Sequence, residues 1–165
     1  MVGEPEPAAP GDGHPDSRGN LARTSQPAAA HLSPELHAEL VAWARAGVPN
    51  EACGILAGER AAIDGGRAIA FYPLTNAEAS PFLYRIDPVE QLHAMVAIDD
   101  ADQVVWGIFH SHVASPAAPS VTDIGLAFYP EALYVICSLA DADAPHLRAW
   151  SIRDGQVAEV ALVTR

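Results

Sequence analysis

The sequence predicts an α/β domain: a single mixed β-sheet sandwiched by helices. Three observations predict it. Apolar, β-branched runs at 52–57, 68–72, 104–109 and 132–139 have the length and composition of buried strands. Segments at 33–47, 87–101 and 120–128 each open on a capping residue and continue at helical spacing. Neither set recurs at a fixed period, so one sheet with helices packed on it accommodates them better than a repeat array does.

Residues 1–30, rich in proline, glycine and alanine, carry no periodic apolar pattern. Too little surface can be buried there to offset the entropy of ordering, which predicts a disordered extension before a domain at 31–165. His14 is then a solvated residue. The first helix starts at Ser33, with Pro34 in its first turn and Leu36, Leu40, Val41, Trp43 and Ala44 as its apolar stripe. Gly47 stops it, and His37 falls off the stripe. Pro49-Asn50-Glu51 turns the chain into the strand 52–57, where Gly54 permits close backbone approach. Gly65-Gly66 marks a turn before the strand 68–72.

The segment 73–88 mixes turn formers with aromatic residues, as expected of an edge segment or a binding loop. Asp87 and Pro88 open the second helix, which runs to about Ala101, with His93 read as a surface or core histidine in preference to a fourth ligand. After the strand 104–109, Ser120 and Asp123 read as the start of a helix reaching about Phe128 and ended by Pro130. The run 132–139 is strongly β. Strands at 146–152 and 156–163 form a hairpin about Asp154-Gly155.

The whole chain sets limits on function. Its 165 residues carry 21 acidic side chains against nine arginines and no lysine, for a net charge of −12. That balance argues against nucleic acid, whose affinity rests largely on cations neutralising phosphates. No apolar run approaches the ~18 residues of a membrane span. Nor is there a basic, then apolar, secretory signal at the N-terminus. Cys53 and Cys137 each lie in an apolar run and read as buried free thiols of a reducing cytoplasm.

The chemistry concentrates at His110-Ser-His112. Alternate strand residues share a face, so both imidazoles can aim at one point at the end of the strand. Asp123 follows eleven residues later, in the first turn of the next helix. Two imidazoles and a carboxylate make a half-open zinc site, with the fourth tetrahedral position left for water. Cys53 offers a rival nucleophile, but Ala52, Gly54 and Ile55 supply nothing to stabilise a thiolate.

Glu51 together with His110-x-His112-x7-Ser120-x-x-Asp123 resembles the JAMM (MPN-plus) zinc metalloprotease family, and every motif position is filled. The resemblance covers roughly residues 31–160. It implies an α/β sandwich with one Zn2+ per chain on His110, His112 and Asp123. It further implies Glu51 as general base and Ser120 as a donor to the oxyanion. The flanks 49–54, 75–81, 84–87 and 90–92 resemble the small bacterial CysO–cysteine peptidase group within that family. That likeness implies cysteine biosynthesis: hydrolysis of the amide joining cysteine to the C-terminal Gly-Gly tail of a small ubiquitin-like sulfur-carrier protein. Thr75, Asn76, Tyr84 and Arg85 are the candidate substrate-binding residues, with 75–84 as an edge along which the tail could lie as an added strand. Val113, where many JAMM proteins have proline, and the proline-rich 115–119 loop depart from the pattern. Two other readings use the same sequence: an isopeptidase acting on protein lysines, and a metal-free MPN scaffold subunit. The latter typically lacks a ligand, and none is missing.

Overall fold

The structure, a computed structural model, describes residues 26–165. Most of the extension expected to be disordered therefore lies outside the described residues. Pro27 is buried, and Ala30 already begins the first strand. That strand, β1 (Ala30–Leu32), pairs in parallel with the last one, β8 (Leu162–Thr164).

Six strands form the main sheet: β2 (Cys53–Gly58), β3 (Ala68–Leu74), β4 (Val104–His112), β5 (Leu133–Ser138), β6 (His146–Arg153) and β7 (Gln156–Val160). Their order is β3-β2-β4-β5-β6-β7, and only the central pair β4–β5 is parallel. Both strands of that pair are covered on two faces, which explains their unbroken apolar runs.

Helix α1 (Pro34–Gly47) covers one face and packs Leu36, Leu40 and Ala44 into a core with Leu56, Phe109 and Val135. Helix α2 (Pro88–Asp100) lies on the other, over Cys53, Ile55, Ile108 and Tyr134. Both helices begin as the sequence predicts. Ser33 Oγ accepts the Leu36 N–H, and Asp87 Oδ1 accepts those of Val89 and Glu90. The β6–β7 turn places Asp154 and Gly155 at φ 48° and 74°, the left-handed pair that a two-residue hairpin requires.

Three expectations need correction. The third helix, α3, spans only Val121–Gly125 and does not reach Phe128. Past Gly125 the chain is drawn aside, because the Tyr129 N–H donates to the Tyr134 hydroxyl and the Gln91 amide donates to the Tyr129 hydroxyl. The strand expected at 156–163 breaks at Ala161, where its last residues leave β6 and pair with β1. The stretch 75–84 is not an edge strand. The sheet edge on this side is β3, and the chain after it folds into a loop closed by an Asn76–Ile86 bridge.

Candidate metal centre

The register of β2 against β4 assembles the site. Cys53 pairs with His110, so the antiparallel ladder continued outward sets Ala52 against Ser111 and Glu51 against His112. Ser111 secures that step: its N–H donates to the Ala52 carbonyl (2.9 Å), and its Oγ accepts the Ala52 N–H (2.8 Å). Trp43 Nε1 donates to the Cys53 carbonyl (2.9 Å) and ties α1 to the same corner. His110 and His112 follow Ile108 on the α2 face of β4.

Asp123 arrives from α3 through a capping box. Ser120 Oγ accepts the Asp123 N–H (3.1 Å), and the Ser120 N–H donates to Asp123 Oδ2 (2.7 Å). The cap thus orients the carboxylate before any ligand is present.

His110 Nε2 and His112 Nε2 lie 3.1 Å apart, and Asp123 Oδ1 and Oδ2 lie 3.5 and 3.4 Å from them respectively. Ligands ~2.0–2.1 Å from a tetrahedral ion are separated by about 3.3–3.4 Å, so the three groups form one face of a zinc polyhedron. His112 Nδ1 lies 2.7 Å from the Pro116 carbonyl, which can only accept. In the neutral ring Nδ1 therefore carries the proton and the Nε2 lone pair points at the centre; in the protonated ring Nε2 donates to Asp123 instead. Two imidazole nitrogens facing each other at 3.1 Å repel unless a proton or a cation lies between them. The residues present fit zinc.

The electrostatics divide the two imidazoles. Burial pushes the His110 imidazole below its ordinary pKa, towards the neutral form a metal needs. Burial opposes the charged form of Asp123 too. Hydrogen bonds from both histidines outweigh it and hold the carboxyl well below the usual range. His112 is also opposed by burial, but its bonds to Asp123 and Pro116 carry it above its ordinary value. Glu51 is only 6 % exposed, and burial pushes its carboxyl up to about 7.

A cavity of about 470 Å³ opens on this centre, lined by Glu51, His112, Ser120, Asp123, Pro81 and Phe82 among others. The four candidate substrate residues do not line it. Thr75 donates through N–H and Oγ1 to the Glu90 carboxylate (2.6 and 2.9 Å), Asn76 Nδ2 donates to the carbonyls of Glu51 and Leu83, and Arg85 Nε pairs with Glu78 Oε1 (2.6 Å). Tyr84 stacks on the His110 ring, centroids 4.3 Å apart and planes at 19°. Sequence reading did not single out Ser111 or Phe82. A serine inside a buried strand was the available signal for Ser111, and Phe82, 87 % exposed on the cavity rim, had none.

Cys53 is not a rival. Burial pushes its thiol up to about 12 and that of Cys137 to about 11, and both are free and fully buried.

Residues 33–153 match the family described as prokaryotic homologs of the JAB domain. The chain belongs to that family. This JAB domain is 48% identical to the CysO-cysteine peptidase of Mycobacterium tuberculosis over 120 residues, 73% of this chain and 80% of that protein. It is 38% identical to a desampylase of Haloferax volcanii over 91 residues, 54% of this chain and 63% of the relative. A solution structure of a protein from Desulfitobacterium hafniense superposes with a TM-score of 0.74 at 38% identity, covering 82% of this JAB domain and 92% of that chain. Among the described residues no helix is long and apolar enough to cross a membrane.

Proposed function

We propose that the protein is a zinc-dependent peptidase of cysteine biosynthesis. Its substrate is a small ubiquitin-like sulfur carrier bearing cysteine in amide linkage on its C-terminal glycine, at the end of a Gly-Gly tail. The convergence of His110, His112 and Asp123 beside Glu51 carries the chemistry. The 48% identity to a CysO-cysteine peptidase supports the substrate.

His110 Nε2, His112 Nε2 and the Asp123 carboxylate would hold one zinc per chain, which would supply Lewis acidity to the scissile carbonyl and to the attacking water. Glu51 takes that water's proton and returns it to the leaving amine as the C–N bond breaks. Burial raises the affinity of the Glu51 carboxylate for a proton, which suits a group that must take one and hand it on. Ser120 Oγ already accepts the Asp123 N–H. A hydroxyl has one hydrogen besides its lone pairs, so Ser120 can hold the cap and still donate to the developing oxyanion. The carrier's tail enters past Pro81 and Phe82 on the cavity rim. The two free thiols suit the reducing cytoplasm, where we place the reaction.

Comparing zinc-loaded protein on a carrier–cysteine adduct and a carrier–lysine isopeptide tests this. Faster cleavage of the adduct is expected. Faster cleavage of the isopeptide transfers the protein to lysine deconjugation, the reading favoured by its similarity to a desampylase. Purified protein with neither zinc nor hydrolysis would be a scaffold.

A further inference from the structure

Asn76 was expected to meet substrate, but its side chain is fully engaged elsewhere. Its Nδ2 donates to the carbonyls of Glu51 and Leu83, each at 3.0 Å. Its Oδ1 accepts the N–H groups of Glu78 (3.1 Å) and Arg85 (3.0 Å). An amide side chain has two donor hydrogens and two acceptor lone pairs, and here all four are used.

What this amide holds is the backbone of Glu51. That residue precedes the first paired residue of β2, so although the register brings it opposite His112, its own main-chain groups find their partners outside the ladder. Its N–H donates to the Ser80 carbonyl (2.9 Å), and its carbonyl receives Asn76 Nδ2. Both of its main-chain polar groups are therefore gripped by the loop between β3 and α2. Asn76 also closes that loop on itself, through Glu78 on one arm and Leu83 and Arg85 on the other.

We propose that Asn76 is a positioning residue for the reaction: it fixes the peptide plane from which the Glu51 side chain departs, and so aims the carboxylate into the cavity. The inference rests on Glu51 being the general base. It separates Asn76 from Thr75 and Arg85, whose side chains bond to Glu90 and Glu78 instead of to Glu51. A reacting group moved by about 1 Å can lose on the order of 100-fold in rate, so a clamp on the backbone is enough to matter.

Asn76→Asp is the discriminating variant. It is isosteric and keeps the acceptor for Glu78 and Arg85, but removes both donors. Its kcat on the carrier–cysteine adduct is expected to fall about 100-fold, with KM within about twofold of the unsubstituted protein and zinc content unchanged. Hydrogen exchange at the Glu51 amide is expected to accelerate in the same variant. Asn76→Ala, which removes all four bonds, should show the same split. An unchanged kcat in both variants overturns the proposal. So does a raised KM with kcat intact, which would make Asn76 a substrate contact, and so does loss of zinc from Asn76→Asp. If the unsubstituted protein cleaves no adduct while exchange at Glu51 still accelerates in the variants, the functional reading fails and the clamp stands.

Discussion

Of the three proposed ligands His112 has the fewest alternatives: Nδ1 faces the Pro116 carbonyl and Nε2 faces Asp123. His112→Ala is expected to leave the protein without stoichiometric zinc, read by metal analysis after gel filtration. His110 differs, since its buried Nδ1 has no hydrogen-bond partner and Tyr84 stacking holds the ring instead. Partners that orient a ligating histidine are worth about 10–100-fold in metal affinity. Tyr84→Ala is accordingly expected to weaken zinc binding by about 10-fold in a chelator competition, and Tyr84→Phe to preserve it. The convergence of His110, His112 and Asp123 was legible in the sequence because strand periodicity and a helix cap determine where such residues point. The role of Tyr84 was not, because ring stacking between residues far apart leaves no periodic trace.

Glu51 reaches the site through an element, the β2–β4 pair, and that pairing was only half legible. Both strands could be read from composition, but nothing local states that Cys53 opposes His110. Ser111 secures that register, and Gly54 lets β3 pack closely against β2 on the other side. Ser111→Ala would strand the buried Ala52 N–H, so a stability loss of about 1–3 kcal/mol is expected in urea denaturation. A Cβ at Gly54 would lie 2.5 Å from the Tyr72 carbonyl oxygen and 2.6 Å from Phe71 Cε2. Gly54→Ala is expected to cost about 1–3 kcal/mol in the same assay through overpacking. The helix α3 was overestimated for the converse reason. Residues 126–128 look helical alone, but the Tyr129–Tyr134 and Gln91–Tyr129 hydrogen bonds pull the chain away. Long-range pairing likewise splits the final strand at Ala161.

For the whole molecule, the sheet order brings a glutamate from before β2, two histidines from β4 and an aspartate from α3 to one buried face. The α/β class followed from the segment pattern, whereas the small β1–β8 sheet joining the two ends of the described chain did not. Metal and thiol chemistry separate cleanly here, because both cysteines are fully buried. A chelator is expected to abolish turnover and lower the melting temperature, since zinc stabilises only the folded state that assembles its ligands. Iodoacetamide is expected to change neither.

Cleavage of the carrier–cysteine adduct by Glu51→Ala, measured at zinc content equal to that of the unsubstituted protein, is the most direct test. General acid–base catalysis contributes about 10²–10⁴ in rate. The variant is expected to retain one zinc per chain and to lose at least about 100-fold in turnover. Full zinc with undiminished hydrolysis would contradict the assignment of the base.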